Sequence, residues 1–377
     1  MMQILIANVD HETRQVLCRE LAIAGYDVKV WDKQSDSAGK PAILAPTIVI
    51  CDWKLEISGE GLSTWQRLKA NPATPPIFCL MLTPHTDSSE YAVALEQGAD
   101  DFLSKPIDPK ELSTRLSAGE RILQLERELQ EQKHLLATEL SEAEAYVRSL
   151  LPDDLTEKIP IKARFLPSRL LGGDCYDYYW LDPDYLAIYL LDVSGHGLGS
   201  ALLSTSVLNV LRSQSLPDVN FYRPEKVLKA LNETFQMQYQ NEKYFTIWYG
   251  VYNRANRQLL YASAGHPPAV VVSDCVGESQ MVECLRTPGL PIGMLPDIKY
   301  QWHRCHIPPK SRLYVFSDGV YEIQQTDNTI MGLDEFVEIL SKQTPERTID
   351  DILSQVYART QNSAFSDDLS LLEVQLT

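Results

Sequence analysis

An apolar run from Tyr185 to Leu191 ends at Asp192 and passes into Val193-Ser194-Gly195-His196-Gly197-Leu198-Gly199 before helical spacing resumes near Ser200. The run reads as a buried strand that delivers a carboxylate to its end. Such a place suits a hard cation, because the carboxylate supplies charge and the glycines let backbone oxygens come close. An aspartate before a glycine-rich turn is also ordinary turn chemistry. Here, however, the arrangement repeats. Gly172-Gly173-Asp174-Cys175-Tyr176-Asp177 precedes it, Ser317-Asp318-Gly319 follows the strand-like Arg312 to Phe316, and Ser366-Asp367-Asp368 precedes the alternating run Leu369 to Leu376. Each segment sets an aspartate beside Gly or Ser at a strand boundary. Between them, Tyr244 to Tyr252, Gln258 to Ser263 and Ala269 to Val272 read as antiparallel strands, with a turn at 253–256. Helical spacing covers Ala201 to Arg212 and Pro224 to Tyr239. Strands in runs and helices in blocks predict an α+β unit.

In this order the motifs resemble the metal-dependent, type 2C-like serine/threonine phosphatases of the bacterial class that acts on sigma-factor regulators. Ala262-Ser263-Ala264-Gly265-His266-Pro267-Pro268 and Gly289-Leu290-Pro291-Ile292-Gly293 share that likeness, which covers roughly residues 150 to 377. The resemblance implies a two-sheet β-sandwich flanked by helices, with two divalent cations in a cleft at one end. It implies Asp192 as bridging ligand with the Val193 carbonyl beside it, Asp318 and Asp367 on the first ion, and Asp174 (or Asp177) positioning the second. An oxygen-only set favours Mn2+ or Mg2+ over zinc. Such a pair would ionise a water near neutral pH and screen the phosphoryl charge that makes a phosphoserine ester resistant to hydrolysis. His196 is the candidate proton donor to the leaving serine oxygen, against a loop histidine tied to backbone. Arg169 is a candidate phosphate binder. His266 reads as a structural turn residue, and Asp368 occupies a second polar position whose role stays open. The implied substrate is a small phosphorylated regulator of the anti-sigma factor antagonist type. The competing function is a non-catalytic adaptor that uses the phosphatase-like region for protein binding; the aspartates kept in all four segments speak against it.

The first 118 residues alternate strands with helices: Gln3 to Ala7, Glu12 to Ala24 closed by Gly25, Thr47 to Cys51 ending at Asp52, Gly61 to Ala70, Ile77 to Leu82 ending at Thr83, and Ser88 to Gln97. That alternation predicts a doubly wound, flavodoxin-like parallel sheet with Asp52, Thr83 and Lys105 converging at strand C-terminal ends. These residues, with Gln97-Gly98-Ala99-Asp100-Asp101-Phe102 and Lys105-Pro106, resemble the receiver domain of response regulators. The likeness implies Asp52 as phosphoacceptor, Thr83 and Lys105 as switch residues, and a histidine kinase upstream. The magnesium-binding acidic pair falls on Asn8 and Val9, and Asp10 is displaced toward the following helix. The loop after Asp52, Trp53 to Gly61, lacks the usual proline and is one residue longer than usual. A hard cation needs oxygen ligands, so magnesium in this receiver is doubtful. Weak phosphorylation through Asp52 and Asp10 competes with signalling that needs no phosphate, and the second is favoured at ordinary rates.

Residues 119–151 are charged and free of Pro and Gly after Gly119. Ile122, Leu125 and Leu129 fit a heptad seam that fails at Gln132 and Glu139. A four-residue shift restores it through Leu136, Leu140, Ala143, Val147 and Leu150, the mark of a stutter. The segment reads as a helical linker, either a coiled coil that makes a homodimer or a helix packed on its own domains. The expected organisation is therefore 1–118 receiver, 119–151 linker and 152–377 phosphatase-like domain. A net charge of −17 over 377 residues argues against a phosphate-neutralising nucleic-acid surface. Seven cysteines without C-x-x-C spacing make neither a disulfide framework nor a zinc site, and those inside apolar runs, Cys51 and Cys79, read as buried thiols. No apolar run reaches membrane-span length, and the expected location is cytoplasmic.

Overall fold

In a computed structural model, the chain forms two compact units, Met1–Ala137 and Thr138–Thr377. The structure describes residues 3–31, 43, 45–52, 69–71, 74–84, 95, 98–168, 171–273, 281–326, 328–342, 347–360 and 367–376. The helical readings at Gly61 to Ala70 and Ser88 to Gln97 fall almost wholly outside these residues, as does the loop after Asp52.

The first unit is built on a parallel sheet of β1 (Gln3–Ala7), β2 (Asp27–Trp31), β3 (Thr47–Asp52), β4 (Ile77–Thr83) and β5 (Asp101–Ser104), in the order β2-β1-β3-β4-β5. Strands β3 and β4 are buried along their whole length, as apolar runs covered on both faces must be. Helix α1 (His11–Ile23) packs Leu17 and Leu21 against one face. Helix α2 (Pro109–Leu150) adds Leu112, Leu116 and Leu123 to the same cluster. It then continues without a break to Leu150, so the linker segment is the extension of this last helix and not a separate element. Cys51 and Cys79 are buried free thiols.

The second unit is a sandwich of two antiparallel sheets with helices on both outer faces. One sheet takes β7 (Cys175–Trp180), β8 (Tyr185–Val193), β9 (Phe245–Asn253), β10 (Gln258–Ala264) and β13 (His303–His306), ordered β13-β10-β9-β8-β7. The other takes β6 (Ile161–Leu166), β11 (Ala269–Ser273), β12 (Met281–Leu285), β14 (Ser311–Phe316) and β15 (Leu369–Leu376), ordered β12-β11-β14-β15-β6. Their inner faces share one core, in which Ile188, Leu190 and Trp248 meet Val271, Leu313, Leu372 and Val374. Loss of a ring as fully buried as Trp248 costs about 3–5 kcal/mol. Helices α3 (Leu198–Arg212) and α4 (Pro224–Thr234) cover the first sheet, while α5 (Leu333–Ser341) and α6 (Ile349–Tyr357) cover the second.

Helix α4 ends at Thr234 rather than reaching Tyr239, and a 3-10 turn, Met237–Tyr239, follows. The cause lies across the fold. The buried Asn232 accepts from the Gly293 amide at 2.8 Å and donates to the Leu295 carbonyl at 2.9 Å, and the Met237 amide donates to the Gly293 carbonyl at 3.1 Å. The Met237 amide, which a longer helix would use internally, and the Asn232 side chain are spent on docking the 289–295 loop. Among the described residues no helix is long and apolar enough to cross a membrane.

Candidate functional site

Register, more than proximity in sequence, assembles the acidic end of the sandwich. Cys175 pairs with Leu191 across β7 and β8, so Asp174, one residue earlier, falls opposite Asp192. In the other sheet Phe316 pairs with Leu371, and the Ser317 amide donates to the Ser370 carbonyl at 3.0 Å. Asp318 is thereby set beside Asp367 and Asp368. These five carboxylates share one charge environment. Burial first, and then the charges of Asp318, Asp367 and Asp368, push the Asp192 pKa up to about 8. Burial, with Asp367 and Glu322, pushes Asp318 up to about 6. Asp174 is buried, and burial followed by the Asp192 charge holds it well above the ordinary carboxylate range. Asp367 lies at the exposed rim, yet desolvation raises it too, with the Asp368 charge adding and the nearby His196 opposing.

This donor set fits a hard divalent cation. Both oxygens of Asp174 are buried without a hydrogen-bond partner. The hydroxyls of Ser317 and Ser370 lie near that carboxylate, but neither donates to it. Gly173 lies so close to the Val193 carbonyl that a β-carbon would come within 2.7 Å of its oxygen. No three His, Cys, Asp or Glu side chains among the described residues converge closely enough to hold an ion alone. A Mg2+ ion, which keeps several waters and takes one or two carboxylates, does not require such a cage.

Asp177 is removed from the set of alternatives to Asp174. It points across the first sheet to α3, where its carboxylate accepts from Arg212 Nε at 2.7 Å and from the Tyr178 amide at 2.8 Å. Alternation along β7 is the reason, since positions 174 and 177 differ by an odd number and face opposite sides. His196 is exposed on the loop after β8, close enough to Asp367 for its charge to be felt there. Arg169 lies outside the described residues.

In the first unit the strand ends converge as alternation requires. Lys105 bonds Asp52 through its ammonium, and its amide donates to the Thr83 carbonyl at 2.9 Å. Asp10 belongs both to the following helix and to the pocket. It caps α1 by accepting from the Thr13 amide at 2.9 Å, but its other oxygen turns back into the pocket and accepts from Lys105 Nζ at 2.7 Å. Burial opposes the ammonium charge, yet bonds to Asp10 and Asp52 hold the Lys105 pKa above its usual value. Val9 is buried in the core with Ile4, Ile6 and Leu17.

Residues 182–377, more than half of the chain, match the stage II sporulation protein E (SpoIIE) family. The chain belongs to the SpoIIE family. Residues 4–117 match the response regulator receiver domain. Among similar proteins, phosphoserine phosphatase RsbP of Bacillus subtilis is 31% identical over 178 residues, 46% of this chain and 42% of RsbP. Phosphoserine phosphatase RsbU of the same organism is 26% identical over 219 residues, 57% of this chain and 63% of RsbU. The chain thus spans less than two thirds of either relative. In fold, the SiaA-PP2C domain of Pseudomonas aeruginosa superposes with a TM-score of 0.56 at 19% identity, covering 64% of this chain and 98% of that domain.

Two contacts of the SpoIIE-family unit, made by Lys243 and by His266, have no signal in the sequence. Lys243 Nζ donates to Ser200 Oγ at 3.0 Å and to the Ser194 carbonyl at 3.3 Å, so a cation from the turn before β9 braces the loop that follows Asp192. No spacing in Asn241-Glu242-Lys243 announces that contact. His266 is buried, and burial brings its pKa down to about 3, so the imidazole is neutral. Its Nδ1 shares a 2.8 Å hydrogen bond with Thr246 Oγ1, and Thr246 pairs with Asp192 across β8 and β9. The histidine is therefore an internal brace beneath the acidic end.

Proposed function

We propose that the chain is a metal-dependent protein serine/threonine phosphatase under the control of its receiver. The observation that supports this most is the meeting of Asp174 and Asp192, opposite each other at the end of one sheet, with Asp318 and Asp367 at the end of the other. Two Mn2+ or Mg2+ ions, when bound, would supply an ionised water and neutralise phosphoryl charge. Asp192 and the Val193 carbonyl would hold them together with Asp318 and Asp367, and the buried Asp174 would orient the second. His196, on its exposed loop, would give a proton to the serine oxygen as it leaves. The bracing of that loop by Lys243 keeps His196 and the Val193 carbonyl on the same turn. Similarity to two phosphoserine phosphatases supports a phosphorylated protein substrate, in our reading a regulator of the anti-sigma factor antagonist type. A histidine kinase acting on the receiver, a homodimer through the helix extension and a cytoplasmic location go with that reading.

Hydrolysis of a phosphoserine peptide by the intact chain tests it. Activity should require Mn2+ or Mg2+, vanish with chelator and return on readdition. Asp192→Ala should lose about three orders of magnitude or more, the equivalent of several kcal/mol of transition-state stabilisation. Asp192→Ala at wild-type rates, with metal content verified, would dismiss the ligand assignment.

A further inference from the structure

Asp368 stands next to Asp367 at the start of β15 and is 3% exposed. A carboxylate so deeply buried needs hydrogen bonds, and this one has them from a remote segment. One oxygen accepts from the Ser168 amide at 2.8 Å and from Ser168 Oγ at 3.1 Å, and the other accepts from the Gly173 amide at 2.6 Å. The approach is close enough that a β-carbon on Gly172 would come within 2.5 Å of a carboxylate oxygen. On the other side, the Asp368 carbonyl accepts from Ser317 Oγ at 3.2 Å.

We propose that Asp368 is the positioning residue that assembles the metal centre, a role that rests on the ligand assignment above. It is bonded directly to Asp367. Its carboxylate grips the amide immediately before Asp174, which belongs to the first sheet, while its carbonyl grips the residue immediately before Asp318, in the second. One side chain and its own backbone therefore set three of the four ligand carboxylates relative to one another across the two sheets. Both carboxylate oxygens are held by donors from Ser168 and Gly173, so the side chain is tied to the segment that leads to Asp174. Both oxygens matter to this role, because each accepts from a backbone amide of the segment leading to Asp174. An asparagine in its place would turn a donor NH2 toward one of two N–H groups and leave that group unpaired.

The test is Mn2+ affinity, read by titration calorimetry on the intact chain in an Asp52→Ala background, so that the receiver pocket adds no second site. Asp368→Ala should weaken Mn2+ binding by about 10- to 100-fold, the usual effect of losing a residue that orients metal ligands, with Asp368→Asn in between. Hydrolysis of p-nitrophenyl phosphate should show the same deficit at low Mn2+ and recover its kcat at saturating Mn2+, which general destabilisation would not produce. Wild-type Mn2+ affinity in Asp368→Ala, alongside its loss in Asp192→Ala, overturns the proposal and leaves the ligand assignment intact. Retained affinity in Asp192→Ala overturns both. If Asp368→Ala does not fold, Gly172→Ala displaces the same carboxylate while keeping it, and unchanged Mn2+ affinity there equally overturns the proposal.

Discussion

At the scale of single residues, Asp192 and Asp318 carry, when ionised, a cost that a proton or a bound cation removes. Their pKa values of about 8 and about 6 lie above those of free carboxylates, through burial and mutual repulsion. Between pH 4 and pH 8, roughly, the folded metal-free protein therefore holds protons that the unfolded chain has released. Folding stability must fall as pH rises through that window, being fully present below it. Mn2+ needs the deprotonated oxygens, so its stabilising effect should grow over the same range. Thermal unfolding in chelator at pH 5.5 and pH 8, compared between wild type and Asp192→Asn, measures this. The variant should lose much of the downward slope and gain stability at the higher pH. Equal slopes in the two proteins would show that the carboxylates do not crowd one another. Whether a given aspartate joins this set follows strand alternation, which is why Asp174 remains and Asp177 goes to Arg212.

At the scale of elements, α2 separates two kinds of apolar residue along one helix. Leu112, Leu116 and Leu123 are buried in the receiver core, whereas Ile122, Leu125, Leu129 and Leu136 are between 44% and 56% exposed. A charged helix with an apolar seam left open is what a second copy would cover. The intact chain should sediment as a dimer, and Leu125→Lys with Leu136→Lys should give a monomer whose receiver fold is intact, because neither side chain lies in that core. A wild-type monomer at concentrations far above those used for assays would remove the seam as an interface. The stutter between Leu129 and Leu136 is visible in the heptads alone; the absence of any break between the receiver's last helix and the linker is not. Both segments have helical propensity, and only the packing of Leu116, Gly119 and Leu123 shows where one role ends.

At the scale of the whole molecule, a receiver precedes a SpoIIE-family unit, and the question is whether phosphate is the signal. Lys105 already holds both Asp10 and Asp52, so the pocket is neutralised in part by its own side chains. Magnesium would have to compete there with only two carboxylates to attract it. Labelling of the intact chain by acetyl phosphate should accordingly be slow. Asn8→Asp should speed it on the order of tenfold by adding a carboxylate at the metal side, and Asp52→Ala should abolish it in either background. Val9→Asp is the wrong repair, since Val9 packs in the core and a carboxylate there would be buried without a partner. Rapid wild-type labelling at Asp52 would mean that Asp10 serves as the missing ligand.

Alternation of strands with helices in the first third, antiparallel runs in the rest, and an aspartate beside Gly or Ser at each strand end are local patterns. They determined the two fold classes and the candidate carboxylates without any knowledge of contacts, because burial imposes its period directly on the sequence. Tertiary structure decided which carboxylates share a charge environment, and which are spoken for by other partners. Asp10 turning back to Lys105, Asp368 reaching Ser168 and Gly173, Lys243 bracing the Ser194 turn and Asn232 ending α4 are all contacts between segments distant in the chain. A buried polar group must find a donor or acceptor somewhere, but the residue that supplies it is chosen by strand register and layer packing. No spacing along the chain encodes that choice.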